Sequence, residues 1–289
     1  MQTEPKPGTL YIVATPIGNL EDMTFRAVRI LQTVDLIAAE DTRHTGKLLQ
    51  HFQVKTPQLS YHDHNTNSRT PELLNHLQNS KAIALVTDAG MPLISDPGYE
   101  LVQACIAAGI TVVPIPGASA VITALSAAGL PTDKFVFEGF LPAKSQQRRE
   151  HLELLKAEPR TLIFYESPHR LRETLQDFAD VLGGDRQIVL ARELTKLYEE
   201  FWRGTIFEAC EHHRNKEPQG EYTLVVAGKL GSQPQLTEDQ LIAELEALFK
   251  QGISKSEASK ELAKVTSLSR RELYQLALTI KTSTQSDEQ

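Results

Sequence analysis

The residues best suited to chemistry lie in the loop VTDAGMPLISDPG, residues 86–98, which follows a short apolar run. Glycine at Gly90 and Gly98 permits left-handed or tightly turned backbone, and two prolines restrict the backbone between them. Asp88 and Asp96 add carboxylates, which accept hydrogen bonds from hydroxyls, amines or backbone N–H groups. The loop is typical of a site where bare backbone meets a small polar ligand, although ordinary strand-to-helix turns use the same residue types.

The common nucleotide and hydrolase motifs do not occur: the chain lacks GxGxxG, GxxxxGK[ST], HExxH and GxSxG. Nicotinamide-dependent, nucleotide-hydrolysing, zinc-protease and serine-hydrolase activities therefore lose their usual support. Cys210, His212 and His213 are close in sequence, but nothing nearby completes a ligand set, so we expect no metal. Backbone-rich turns with a few carboxylates suit a ligand that has ribose hydroxyls, an adenine edge and an amino-acid head. S-adenosylmethionine is such a ligand.

Alternating elements must position these turns. Four β-prone runs, TLYIVA, VDLIAA, AIALV and TVVPI, alternate with segments of helical period, which predicts a mostly parallel sheet covered by helices. Each run leads into a polar or glycine- and proline-bearing segment, at 15–19, 40–45, 86–98 and 116–120. Ligands of open α/β sheets bind outside the carboxyl ends of the strands, so these segments should converge on one site.

The second half of the chain predicts another sheet and a helical tail. The predicted strands are TLIFYES, QIVLARE, FWRGTIFEA and GEYTLVVAG. The segments between them are too short to hold a crossover helix at every step, so this sheet should be mixed, with some antiparallel pairs. Capping-box patterns then start three helices, at Thr237, Ser254 and Ser269. We expect an α/β domain at 8–130 that carries the site, a second α/β domain at 131–231, and a helix-turn-helix-like tail at 237–281.

Composition limits the partners and the compartment. At 289 residues with 40% hydrophobic side chains, the chain can fill the cores of about two domains. A net charge of −7 argues against indiscriminate coating of nucleic acid, so RNA contacts would need local basic surface. The polar start MQTEPKPG and two cysteines without a motif predict a cytoplasmic protein. The uncharged window 110–131 is broken by proline and glycine, which favours a strand, a turn and a helix over a membrane span.

Taken together, several segments resemble the tetrapyrrole methylase superfamily, and within it the members that act on ribosomal RNA. They are LYIVATPIGNLEDMTFRA, AAEDTRHT, YHDHN, TDAGMPLISDPG, PGASAVITALSAAGLP, FEGFLPAK, FYESPHRL and ARELTK. The resemblance runs in order from Gly8 to Lys229 and is weaker in the tail. It implies two α/β domains with a cleft between them and a homodimer. It also implies transfer of a methyl group from S-adenosylmethionine to the 2′-hydroxyl of a cytidine in the decoding region of 16S rRNA, with the 30S subunit as partner.

The resemblance also implies donor-binding residues. These are Pro16 and Gly18 in the first turn, Asp88, Ala89, Gly90, Leu93 and Ile94 in the central loop, Ser119 in PGASA, and Tyr165 and Ala191 from the second domain. Ser119 opens a predicted helix whose free N–H groups permit close approach of a ligand. Packing at a domain interface is the alternative for Tyr165 and Ala191.

Two polar clusters are candidates for the acceptor side. Glu40, Asp41, Arg43 and His44 follow the second strand, and His62, Asp63, His64 and Asn65 follow later. A ribose hydroxyl is weakly acidic, so Glu40, Asp41 or Asp63 is a candidate to take its proton, while Arg43 is a candidate to bind a phosphate. In the alternative interpretation, Glu40, Asp41 and Arg43 form a surface ion-pair cluster that caps the next helix.

Basic side chains offer phosphate contacts in three places. They are Lys144, Arg148 and Arg149 in PAKSQQRR, His169, Arg170 and Arg172 in ESPHRLR, and Arg270 and Arg271 in the tail. Solvated helix faces and a merely stabilising tail are the alternatives. Two rival functions also stay open: methylation of a tetrapyrrole or other small molecule, and RNA binding by a non-catalytic ribosome-assembly factor.

Overall fold

The computed structural model describes residues 5–229, 237–266 and 268–280. The chain divides into two compact units, Met1–Lys229 and Leu230–Gln289. The predicted domain ends at 231 and 281 lie outside the described residues. Both β-sheets belong to the first unit, and the three tail helices belong to the second.

The first sheet has five parallel strands in the order β3-β2-β4-β1-β5. They are β1 Thr9–Val13, β2 Leu36–Ala39, β3 Gln58–Ser60, β4 Ile83–Val86 and β5 Thr111–Ile115. The prediction missed β3, because this edge strand is only three residues long and contains a single leucine. The predicted parallel sheet is confirmed, and the carboxyl ends of its strands share one edge.

Five helices accompany this sheet: α1 Phe25–Thr33, α2 Thr42–His51, α3 Thr66–Gln78, α4 Tyr99–Ala107 and α5 Ala120–Ala128. Alternate residues of β1 face opposite layers, as the two-residue period of a strand requires. Tyr11 and Val13 share a core with residues of α1 and α2, whereas Leu10 and Ile12 share one with residues of α3 and α4. The sheet is therefore buried on both faces.

The second sheet is mixed, in the order β6-β7-β10-β8-β9. Its strands are β6 Phe135–Phe140, β7 Thr161–Glu166, β8 Gln187–Arg192, β9 Glu200–Thr205 and β10 Tyr222–Val226. Only β6 and β7 pair in parallel, and the other neighbours are antiparallel. The helices that follow its strands are α6 Ser145–Leu155, α7 Leu171–Phe178 and α8 Ile206–Arg214.

Helix α5 joins the two sheets into one unit. It follows β5 of the first sheet, yet its apolar side chains pack against the second. Val121, Ala124 and Leu125 share a core with Ile163 and Val225. The window 110–131 thus contains a strand, a turn and a helix. In the described part of the chain, no helix has the length and apolar character needed to cross a membrane.

Arg148 corrects one prediction. Its side chain is 1% exposed, and its Nε donates to Asp177 Oδ2 at 2.7 Å, so it joins α6 to α7 instead of facing a phosphate. Asp177 is itself only 6% exposed. The pattern PAKSQQRR could not distinguish a solvated arginine from this one, because the partner carboxylate lies on the next helix.

The second unit contains α9 Glu238–Lys250, α10 Lys255–Val265 and α11 Arg270–Thr279 around a shared apolar core. Each predicted cap is present, because Thr237, Ser254 and Ser269 accept the N–H of the third helical residue. The reciprocal bond that completes a capping box forms at Thr237 and Ser269. At Ser254, the Glu257 carboxylate accepts instead from the serine hydroxyl.

Candidate functional site

Two turns at the carboxyl edge of the first sheet are hydrogen-bonded to each other. The N–H of Thr15 donates to Gly90 O at 2.9 Å, and the N–H of Gly90 donates to Thr15 O at 3.1 Å. The Thr15 hydroxyl also donates to Thr87 O at 3.1 Å. The turn after β1 and the loop after β4 therefore form one rigid surface, as convergence at the sheet edge predicts.

The loop after β4 contains an unusual number of left-handed residues. Gly90 and Gly98 have φ of 80° and 135°, and the non-glycine residues Leu93 and Ser95 have φ of 74° and 66°. Such conformations cost about 1–3 kcal/mol for a residue with a side chain and concentrate at ligand sites. A Cβ on Gly98 would lie 2.7 Å from Leu85 Cδ2, so the close turn requires glycine there.

A cavity of about 430 Å³ opens between this loop and the second sheet. The first half contributes Ile17, Ala89, Gly90, Met91, Ile94, Ser95, Asp96, Ser119 and Ala120. The second contributes Phe140, Tyr165, Glu166, Ser167, Pro168, Ala191, Leu194, Lys196, Glu221, Tyr222 and Thr223. The two sheets thus supply opposite walls of a single cleft.

Six of the predicted donor-binding residues line this cavity: Ala89, Gly90, Ile94, Ser119, Tyr165 and Ala191. Pro16, Gly18, Asp88 and Leu93 do not line it. Gly18 instead lies directly against the wall, because a Cβ there would collide with the Lys196 side chain. Leu93 lies against Gly98 beneath the loop. The Tyr165 ring packs edge-on against Phe137 and at a tilt against Phe140, which gives the second wall an aromatic face.

Asp96 is an expected hydrogen-bond acceptor of the loop but has no place among the predicted donor-binding residues, and it lines the cavity. The prediction missed Phe140 and Glu166, which end strands β6 and β7. In the first sheet we predicted the site from the residues that follow the carboxyl ends of the strands. The same reasoning in the second sheet would have found Phe140 and Glu166. Lys196 had no such signal, because it lies in the irregular segment after β8 and is oriented by ion pairs with Glu193 and Glu221.

Carboxylates gather at the sheet edge. The N–H of Asp88 donates to Glu40 Oε2 at 3.3 Å, while Asp88 Oδ1 is buried without a hydrogen-bond partner. Burial raises the pKa of Glu40, and the nearby charges of Asp88, Asp63 and Asp41 add to the effect. Burial, together with Glu40, Asp88 and Asp63, raises the pKa of Asp96 to about 7. This edge therefore favours a cationic ligand and a carboxyl group that titrates near neutrality.

Asp41 fits the alternative interpretation, in which it pairs with Arg43 and caps the next helix. Its side chain caps α2 by accepting the Arg43 N–H at 2.8 Å, and Arg43 Nη2 lies 2.6 Å from Asp41 Oδ2. These bonds hold the pKa of Asp41 well below its usual range. A carboxylate held in this way is a poor proton acceptor, which makes Asp41 the less favoured of the predicted bases. Arg43 is 89% exposed although its guanidinium is paired with Asp41.

The second polar cluster is organised around Asn65. Its side chain accepts the His62 N–H at 2.9 Å and donates to Ser60 O at 3.2 Å. His62 Nδ1 is buried without a partner. His44, Asp63 and His64 are exposed. None of these side chains lines the cavity, so the cluster lies at the same sheet edge but outside the pocket.

The remaining basic candidates differ in how far other protein groups already engage their side chains. Lys144 is exposed, whereas Arg149 donates to both Asp177 and Asp180. Arg170 is held by Glu166 at 2.8 Å and by Leu141 O at 3.1 Å. In the tail, Arg270 donates to Ser256 Oγ at 2.8 Å. Arg270, Arg271, Ser256 and Tyr274 line a surface notch.

A profile of the family Tetrapyrrole (Corrin/Porphyrin) Methylases matches residues 9–210. The chain is 58% identical over 275 residues to a protein named ribosomal RNA small subunit methyltransferase I from Synechocystis sp., covering 95% of this chain and 99% of that relative. A protein of the same name from Escherichia coli O157:H7 is 51% identical over 273 residues, covering 94% and 95%.

Solved structures share the fold of the first unit. A cobalt precorrin-4 methyltransferase superposes with a TM-score of 0.57 at 17% identity, covering 76% of this chain and 95% of that one. A uroporphyrin-III C-methyltransferase from Thermus thermophilus, complexed with S-adenosyl homocysteine, gives a TM-score of 0.53 at 17% identity, covering 76% and 97%. At these identities the similarity concerns the fold alone, and it confirms the predicted fold class.

Proposed function

The chain belongs to the tetrapyrrole methylase family, and from that premise we propose that it transfers a methyl group from S-adenosylmethionine to the 2′-hydroxyl of a cytidine ribose in the decoding region of small-subunit rRNA. The observation that carries the proposal is the cleft between the two sheets, with backbone on one wall, aromatic rings on the other and carboxylates at one edge. The names of the two relatives support the rRNA substrate.

The cavity residues suit this donor. A volume of about 430 Å³ lies within the range of about 300–1,000 Å³ that is usual for small-molecule sites. Tyr165 and Phe140 offer apolar rings to an adenine, and the small side chains of Ala89, Ser119 and Ala191 permit close approach. The buried, unpartnered Oδ1 of Asp88 marks a place near the loop where an acceptor lacks its donor.

When bound, the donor supplies a methyl group on a positively charged sulfur. Ala89, Gly90 and Ser119 would hold it from the first half of the chain, and Tyr165 and Ala191 from the second. The negative charge at the sheet edge favours the cationic sulfur. Because displacement at a methyl carbon needs an in-line approach and little covalent help, positioning by these rigid turns supplies much of the rate.

Transfer of label tests this proposal. The protein is incubated with methyl-labelled donor and small subunits that lack the modification, and the rRNA is digested to nucleosides. We expect label on the ribose of one cytidine. Donor binding without transfer would instead support the assembly-factor alternative, and transfer to a porphyrinoid but not to RNA would support the small-molecule alternative.

The tail is proposed to bind rRNA. Two guanidinium groups beside the half-exposed Tyr274 suit a phosphate next to a stacked base. Arg270→Glu with Arg271→Glu should weaken binding of the small subunit about tenfold at moderate salt and lower the salt slope by about 1 to 2. Glutamate in the first turn of α11 is favoured by the helix dipole, so the helix itself should persist.

Filter-binding titrations over a salt series measure this effect, with donor affinity as an internal check. The matched control is Lys81→Glu with Lys134→Glu, which makes the same charge change at exposed positions before β4 and β6. These positions lie at the amino ends of strands whose carboxyl ends approach the cavity. Equal losses of subunit affinity in the two double variants would contradict a specific role of the tail. So would an Arg270→Glu, Arg271→Glu variant that binds the subunit as tightly as the wild type across the salt series.

We also propose that the protein is a cytoplasmic homodimer. The family resemblance implies this state, and Phe25 and Leu197, which are 98% and 87% exposed, are candidates for the interface. Sedimentation equilibrium should report twice the chain mass of 32.2 kDa. A monomer at micromolar concentration would contradict the proposal.

A further inference from the structure

One carboxylate of the cavity has no assigned role. Asp96 lies between the left-handed Ser95 and the proline that precedes Gly98, in the loop whose backbone is held by neighbouring turns. It is partly buried and lines the cavity. The Thr87 side chain and Tyr165 on the opposite wall both interact electrostatically with its carboxylate. Asp96 therefore presents a carboxylate between the two halves of the site.

The other carboxylates near the cavity are already engaged. Glu166 accepts from Arg170, from the Thr174 hydroxyl at 2.6 Å and from the Ser167 N–H at 2.8 Å. Glu221 is paired with Lys196 at 2.9 Å. Within the residues that the structure describes, Asp96 forms no ion pair, so its carboxylate is free to act on a ligand.

The acceptor candidates from the sequence are less well placed. Asp41 is held by Arg43 and by the start of α2. Glu40 accepts the Asp88 N–H and so supports the loop from behind, and Asp63 is exposed. Neither Glu40 nor Asp63 lines the cavity.

Resting on the function proposed above, we propose that Asp96 accepts the proton of the ribose hydroxyl during methyl transfer. The bond between the hydroxyl oxygen and the methyl carbon forms, and the bond between that carbon and the donor sulfur breaks. The sulfur keeps the electron pair and becomes a neutral thioether, while the hydroxyl proton passes to the Asp96 carboxylate. An ether oxygen that kept this proton would be strongly acidic, so an acceptor within reach lowers the barrier.

The electrostatic surroundings match this role. Burial, Glu40, Asp88 and Asp63 raise the pKa of Asp96 to about 7, and the Thr87 side chain opposes them. Burial and the nearby Asp96 charge raise the pKa of Tyr165 to about 12, so the tyrosine stays neutral in the working range. Lys196 lies on the cavity wall with its charge balanced by Glu193 and Glu221. The base form of Asp96 grows as the pH rises through about 7, so the transfer rate should rise with pH across that range and then level off.

Single-turnover methylation of unmodified small subunits at saturating donor tests the proposal. Asp96→Asn should lower the rate of transfer by about 10²- to 10⁴-fold and remove the inflection near pH 7, while the donor Kd rises by a much smaller factor because one nearby carboxylate charge is lost. Asp96→Glu keeps a carboxylate and should restore part of the rate together with an inflection. Asp133→Asn removes an exposed carboxylate before β6 and is the matched control, with the wild-type profile expected.

The Glu40→Gln variant distinguishes Asp96 from Glu40 as the proton acceptor. If Asp96 is the acceptor, this variant keeps an inflection but moves it to lower pH, because the Glu40 charge contributes to the raised pKa of Asp96. If Glu40 is the acceptor, the inflection disappears in Glu40→Gln and survives in Asp96→Asn, which overturns the proposal. The proposal is also overturned if Asp96→Asn transfers the methyl group at the wild-type rate at saturating donor.

A titration without substrate gives an independent measurement. In protein labelled with ¹³C at aspartate carboxyl groups, one resonance should titrate near pH 7 and be missing from Asp96→Asn. Its absence from the wild type overturns the inference even if ribose methylation is observed. A wild-type protein that titrates as expected but never labels ribose overturns the proposed function, and the role of Asp96 in it.

Discussion

Gly90→Val is expected to raise the Kd for the methyl donor at least about 100-fold, a loss of about 2.7 kcal/mol or more. A Cβ at this position would already lie 3.4 Å from Ile17 Cγ2 and 3.8 Å from Ala118 O. The two further methyl groups of valine would therefore occupy the cavity that Gly90 lines. Isothermal titration with S-adenosylmethionine measures the loss.

Backbone strain must be separated from lost space, because Gly90 has φ of +80°. Gly109→Val is the matched control: Gly109 has φ of +70°, and a Cβ there has nothing within 4 Å. Both variants should lose about 1–3 kcal/mol of folding free energy through strain. Only Gly90→Val should lose donor affinity. Donor binding at the wild-type level in folded Gly90→Val would place the donor elsewhere.

Arg148→Ala is expected to lower the free energy of unfolding by about 3–5 kcal/mol, because it leaves the 6% exposed Asp177 without its nearest cation in a buried setting. Arg149→Ala removes the adjacent arginine, which is 44% exposed and pairs with the same aspartate, and should cost at most about 1 kcal/mol. Denaturant unfolding followed by circular dichroism compares the two.

A double variant tests the cause of the Arg148 effect. Arg148→Met with Asp177→Leu replaces both charges by apolar side chains and should recover most of the stability lost in Arg148→Ala. A double variant as unstable as the single one would indicate that packing volume at Arg148 dominates, and not the charge of Asp177, which keeps only Arg149 as a cationic partner.

Local residue patterns were sufficient for most elements of the fold. The apolar runs of β1, β2, β4 and β5 and the caps at Thr237, Ser254 and Ser269 were found from sequence. These features depend on hydrogen bonds and side-chain contacts within a few residues. The short edge strand β3 was missed because three residues with one leucine carry too little pattern.

The candidate site was only partly predictable. The central loop was identified from its glycines and aspartates, and the resemblance added Ser119, Tyr165 and Ala191, all of which line the cavity. The roles within the cluster were not predictable, because whether a carboxylate is free depends on its partners. Asp41 is engaged by Arg43, and Asp96 is not engaged by any cation that the described part of the chain places beside it.

Residue type and spacing in this chain established an α/β protein with strand ends that converge on a small polar ligand, since backbone conformation and helix caps are short-range properties. Three-dimensional packing established that α5 crosses to the second sheet, that Arg148 is buried against Asp177, and that Asp96 lies near Glu40 at a cavity wall. Burial and charge neighbours set those properties. They arise from segments far apart in the chain, whose contact no local pattern encodes.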